Sequence, residues 1–121
     1  MIITRDRKTG RTSKIVSEIF QDSDATLSLE FSKIETGSKI YLFNYPILFQ
    51  IYQEGDGTII ENEQLDIYAS GNSITEAKNE LANQFDHSYK RLNELNDNQL
   101  IPKLLSVKEY YNFIIKAVSD K

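Results

Sequence analysis

The hydrophobic period of this chain changes once, at Ser70-Gly71-Asn72, and that change limits what each side can fold into. Before it, from Lys14 to about Ala69, apolar residues recur near every second position, the spacing of half-buried strands. After it they recur every three or four, the spacing of amphipathic helices. Leu27, Leu29 and Phe31 alternate with Ser28, Glu30 and Ser32, which predicts a strand with one buried face. Ile15–Phe20 predicts an earlier strand, joined to it by the polar turn Gln21-Asp22-Ser23-Asp24. Lys39–Tyr52 reads as extended, interrupted at Asn44-Tyr45-Pro46, where Pro46 fits only a strand start or an edge. Glu54-Gly55-Asp56-Gly57 is the strongest turn signal, followed by extended Thr58-Ile59-Ile60 and then Leu65–Ala69.

Beyond the switch, Ile74, Ala77, Leu81, Phe85, Ser88/Tyr89, Leu92 and Leu95 lie on one face of a long helix. Ser73-Ile74-Thr75-Glu76 has the form of a capping box. A second such box, Ser106-Val107-Lys108-Glu109, predicts a further helix carrying Tyr110/Tyr111, Ile114 and Val118, with Pro102 keeping Leu100–Leu105 out of it. The expected plan is β-β-β-β-β-α-α. This is an α+β fold, with an antiparallel sheet of about five strands followed by two helices packed on one face. It forms a single domain over residues 1–121, made of a basic arm or first hairpin (1–14), a sheet (14–69) and a helical part (73–118).

At 121 residues the chain is long enough for one core. It has no cysteine, which excludes a disulfide scaffold, a thiolate zinc site and a cysteine nucleophile. The single histidine, His87, neighbours Asp86 and Ser88 on a helix, and adjacent helical residues point apart, so it reads as a surface residue rather than a base. No apolar run reaches membrane-spanning length, and Met1-Ile2-Ile3-Thr4 leads directly into basic residues, so a soluble cytoplasmic protein without a signal peptide is expected. The carboxylate pairs Asp22/Asp24 and Glu61/Glu63 flank turns and read as solvated, and Gly55 and Gly57 lack the pattern of a phosphate loop. Ser70-Gly71-Asn72-Ser73 precedes a helix, where an anion could sit, but capping accounts for it. No enzyme constellation and no cofactor site is expected. Tyr110, Tyr111 and Phe113 cannot share one helical face, which leaves an aromatic ring for either a wide core stripe or a partner.

The formal net charge of -4 conceals a division. Met1–Lys14 holds Arg5, Arg7, Lys8, Arg11 and Lys14 against Asp6, or +4, while nine basic and seventeen acidic residues beyond it leave −8. The arm could contact nucleic-acid phosphates or be a solvated turn; the acidic body suits a basic partner.

Tyr45–Gly57, a strand ending in an acidic glycine turn, and Tyr68-Ala69-Ser70-Gly71-Asn72-Ser73-Ile74-Thr75-Glu76-Ala77, running into a helix, together resemble HicB-family antitoxins over about residues 45–92. Asn72 and Ser73 stand at the Asp-Thr positions of that family's signature, and Glu61-Asn62-Glu63-Gln64 replaces its proline- and glycine-rich stretch. No DNA-binding element of the family is recognisable in Leu100–Lys121. The resemblance implies a partial RNase H-like fold without nuclease carboxylates. It also implies a non-enzymatic protein that covers a small basic RNA-cleaving toxin, HicA. Glu54, Asp56, Glu61, Glu63 and Asp66 are the candidate partner-binding residues. The alternatives are a nucleic-acid-binding module using Arg5, Arg7, Lys8, Arg11 and Lys14, a small interaction or structural protein, and a small metal-assisted hydrolase, which would need three or four converging carboxylates. Unprotected sheet edges make a homo-oligomer a further expectation.

Overall fold

The computed structural model describes residues 26–121. The basic arm, the predicted strand Ile15–Phe20 and the pair Asp22/Asp24 lie outside the described residues. Within them the chain runs β1 (Thr26–Glu35), β2 (Lys39–Glu54), β3 (Gly57–Asn62), β4 (Ile67–Gly71), α1 (Ile74–Glu94), a short 3-10 turn (Asp97–Gln99), α2 (Pro102–Ile114) and β5 (Ile115–Asp120). Among the described residues all strand pairings are antiparallel, and the sheet has five strands with two helices on one face, an α+β fold.

β2 organises the sheet. One of its edges pairs with β1 along almost its whole length. The other is shared: Lys39–Phe43 pairs with β5, and Gln50–Glu54 pairs with β3, which carries β4 beyond it. Between the two halves Phe31 pairs with Ile47 but Lys33 with Leu42, so Phe43–Pro46 bulge out of the β1 ladder. The predicted interruption at Asn44-Tyr45-Pro46 is this bulge. Proline has no N–H for a ladder, and a bulge is one of the few places a sheet admits it. Asn62 fills the gap on the opposite edge: its side-chain amide donates to the Leu48 carbonyl at 2.9 Å, and its side-chain oxygen accepts from the Leu65 N–H at 2.9 Å.

Tyr41, Phe43, Ile47, Phe49 and Ile51, odd-numbered residues of β2 on either side of the bulge, face the helices and are buried. Phe85 of α1 is at the centre, its ring centroid 5.1 Å from that of Tyr41, 5.6 Å from Phe43 and 4.9 Å from Tyr111 of α2. Tilted and edge-on pairs of this kind set positive ring edges against negative ring faces. The helix begins as its sequence predicts. Ser73 caps it by accepting from the Glu76 N–H at 3.1 Å, while the Glu76 carboxylate accepts from the Asn72 N–H, one residue earlier than a capping box requires.

The predicted second helix is displaced. Pro102 does not exclude a helix but begins one, at the first-turn position where a missing N–H costs nothing. Ser106–Glu109 consequently lies inside α2, not at its start. The helix ends at Ile114, and Val118, expected on its buried face, belongs to β5. The strand order is therefore four strands, two helices and a closing strand, among the described residues. Lys108 secures the connection between helices, donating to the Leu95 carbonyl at 3.0 Å and to Asp97 at 2.8 Å. No helix among the described residues is long and apolar enough to cross a membrane.

Candidate interaction surface

The face of the sheet away from the helices carries the residues of greatest functional interest. Alternation in β2 that buries Phe49 and Ile51 necessarily turns Leu48, Gln50, Tyr52 and Glu54 outward. Register then aligns their neighbours. Glu30 of β1 lies opposite Leu48, Ile59 of β3 opposite Tyr52, and Glu61 of β3 between Gln50 and Tyr68 of β4. Over this half of the sheet, among the described residues, register brings Glu30, Glu54 and Glu61 to the outer face and no lysine or arginine.

Two tyrosines give the face its shape. The Tyr68 hydroxyl donates to Glu54 Oε1 at 3.1 Å. Tyr68 is level with Glu61, and Glu54 is level with Gly57, so the phenol spans the row that holds Ile59. Ile59 is 4% exposed on this otherwise open face, whereas Leu48 is 55% exposed and Tyr68 48%. Tyr52 is pushed up to about 12 by burial, then by the Glu61 carboxylate and by its neighbours Tyr68 and Glu54. Tyr68 is raised as well, by burial and by its hydrogen bond to Glu54. Both phenols therefore stay neutral at physiological pH. They offer ring faces and hydroxyls beside fixed carboxylates, which suits a lysine or arginine side chain through ion pairing and cation–π contact.

The five carboxylates singled out from sequence divide among three places. Glu54 and Glu61 belong to the outer face. Asp56 lies in the β2–β3 turn, where Gly55 adopts φ of 61°, the left-handed region that a two-residue hairpin turn requires. Glu63 and Asp66 lie in the β3–β4 turn, at the other end of β3, and Asp66 Oδ1 is 3.9 Å from the Lys103 ammonium. The arm residues Arg5, Arg7, Lys8, Arg11 and Lys14 lie outside the described residues. Glu30, Leu48, Tyr52 and Tyr68 were not singled out from sequence. The available signal was the even-numbered series in Lys39–Tyr52, which opposes the buried odd series.

Elsewhere, His87 is exposed on α1. The Gly71-Asn72-Ser73 segment is engaged in capping α1, as expected. Among the described residues, no three His, Asp or Glu side chains come together as metal ligands. Of the C-terminal aromatics, Tyr111 is buried, Tyr110 half-buried and Phe113 64% exposed, its ring edge-on to Tyr45 at 6.1 Å. The family models, the curated proteins and the solved structures compared with this chain contain no match to it.

Proposed function

We propose that this chain is a non-enzymatic, HicB-like antitoxin that neutralises a small basic RNA-cleaving protein by covering it. The observation that supports the reading is the outer sheet face, where Glu30, Glu54 and Glu61 stand around half-exposed Leu48 and Tyr68 and, among the described residues, register brings no cation between them. Such a face favours encounter with a basic surface through long-range attraction, and its apolar and aromatic groups supply area to be buried once contact is made. The resemblance over residues 45–92 provides the class of partner. The site residues of the reading are Glu54 and Glu61, joined by Glu30, Tyr52, Tyr68 and Leu48. Asp56, Glu63 and Asp66 form its acidic margins.

The test is co-expression with the small basic protein encoded alongside, followed by affinity capture and titration at rising salt. A complex that weakens with salt is expected. The triple substitution Glu30→Gln, Glu54→Gln and Glu61→Gln should lower its affinity by at least tenfold, roughly 1.4 kcal/mol. Absence of a complex, or a triple variant that binds as tightly as the parent, overturns the reading.

A further inference from the structure

Resting on the reading of the outer face as a docking surface for cations, we infer that the chain carries its own competitor for that surface, the basic segment Met1–Lys14. The argument begins with charge. Five of the fourteen basic residues of the chain fall within those fourteen positions, against a single acid. The intervening residues 15–25 hold Glu18, Asp22 and Asp24 and no cation, so the positive charge is concentrated at the far end of the tether. The outer face is the complementary surface. The solvent side of α1, in contrast, mixes Glu76, Glu80 and Glu94 with Lys78, Lys90 and Arg91 and has no single sign to offer.

The place of attachment agrees with the charge. Thr26, the first residue of β1, pairs with Tyr52, so the chain enters the sheet two residues along β2 from Glu54. From there β3 and β4 lie two and three strand spacings away, roughly 10 and 14 Å. The twelve residues from Thr26 back to Lys14 span up to about 40 Å when extended. The arm is thus long enough to set its arginines beside Glu54, Glu61 and the Tyr52 and Tyr68 rings. Because the arm and the face belong to one chain, their encounter is intramolecular, and ion pairs too weak to hold two separate molecules together can occupy the face. A basic partner must displace the arm, which makes the arm a threshold against weakly basic proteins.

The absence of native cysteine makes a direct test straightforward. A nitroxide is placed on the full chain through Thr9→Cys, and amide line broadening is mapped by NMR without any partner. The inference expects broadening at Leu48, Gln50, Glu61 and Tyr68 that disappears at high salt. Broadening confined to α1, or none on the sheet, overturns it. So does broadening seen only when unlabelled-spin isotopic protein is mixed with spin-labelled protein, since the occupant would then be a second copy. A second measurement uses an oligolysine peptide as probe. If the arm occupies the face nine-tenths of the time, replacing Arg5, Arg7, Lys8, Arg11 and Lys14 by Ser should tighten oligolysine binding about tenfold. Equal binding by both forms overturns the competition. Face broadening with no oligolysine binding by the Ser-substituted form would leave the arm docked and overturn instead the reading of the face as a site for basic partners.

Discussion

The Tyr111 hydroxyl donates to the Leu65 carbonyl oxygen at 3.1 Å, joining α2 to the β3–β4 turn across 46 residues of sequence. Both residues are fully buried, so water cannot replace either partner. Tyr111→Phe keeps the ring against Phe85 but leaves that carbonyl without its donor. A loss of about 1–2 kcal/mol is expected, seen as a lower urea midpoint with an unchanged slope. An unchanged midpoint would show that another donor takes over.

Gly71 and Ser73 make separable contributions to the start of α1. A Cβ at Gly71 would lie 2.5 Å from the Ala77 nitrogen and 2.6 Å from the Glu76 Cβ, and helical backbone cannot yield that much. Gly71→Ala should therefore cost about 3 kcal/mol through overpacking. Ser73→Ala removes only the cap and should cost about 1 kcal/mol, with Ser73→Asp close to the parent. Thermal unfolding of the three variants checks the order.

The ease with which these elements could be foreseen varied for physical reasons. Strands β1 to β4 and the start of α1 follow from local signals: alternation, a glycine turn and a serine cap. The end of the chain does not. Ile114, Ile115 and Val118 are apolar at spacings compatible with helix, and Ser106-Val107-Lys108-Glu109 imitates a helix start, so a helix over 106–118 satisfied every local rule. Pairing of Ile115–Asp120 with Lys39–Phe43 is a long-range event that overrides that preference. The local signal for the true helix start is Pro102, which favours the first helical position. On the candidate surface, the carboxylates were legible as charge, but which of them share a face depended on register. Glu54 and Glu61 come together across β2 and β3, whereas Glu63, two residues further on, departs with the turn.

Tyr52 should titrate last among the tyrosines of the outer face, at about 12. A phenol whose value is raised by folding contributes stability that is present below its unfolded value, about 10, and is lost as pH rises through the folded one. Residue-specific NMR of labelled tyrosine rings should show this late transition. Glu61→Gln, by removing a neighbouring negative charge, should move it earlier. A Tyr52 that titrates with a fully solvated tyrosine would contradict the packing described for this face.

Asp86 has the opposite behaviour at low pH. Burial raises its carboxyl value, but hydrogen bonds from Tyr41 and Lys90, the latter at 3.0 Å, outweigh that effect and hold it below the usual range. Its contribution to stability is present above about pH 4 and is lost as pH falls through the depressed folded value. Tyr41→Phe removes one donor, so carboxyl NMR should report a higher Asp86 value, and acid unfolding should begin at a higher pH.

The position of β5 also sets an order of events in folding. Strands β1 to β4 are joined by short turns and can zip as successive hairpins, whereas Lys39 and Asp120, which pair at the far end of β5, are 81 residues apart. Closing so long a loop is entropically late, so the edge of β2 along Lys39–Phe43 stays open while the rest assembles. During that interval the unpaired edge can accept a strand from another molecule. Refolding yield should consequently be governed by protein concentration and by the speed with which the final strand arrives.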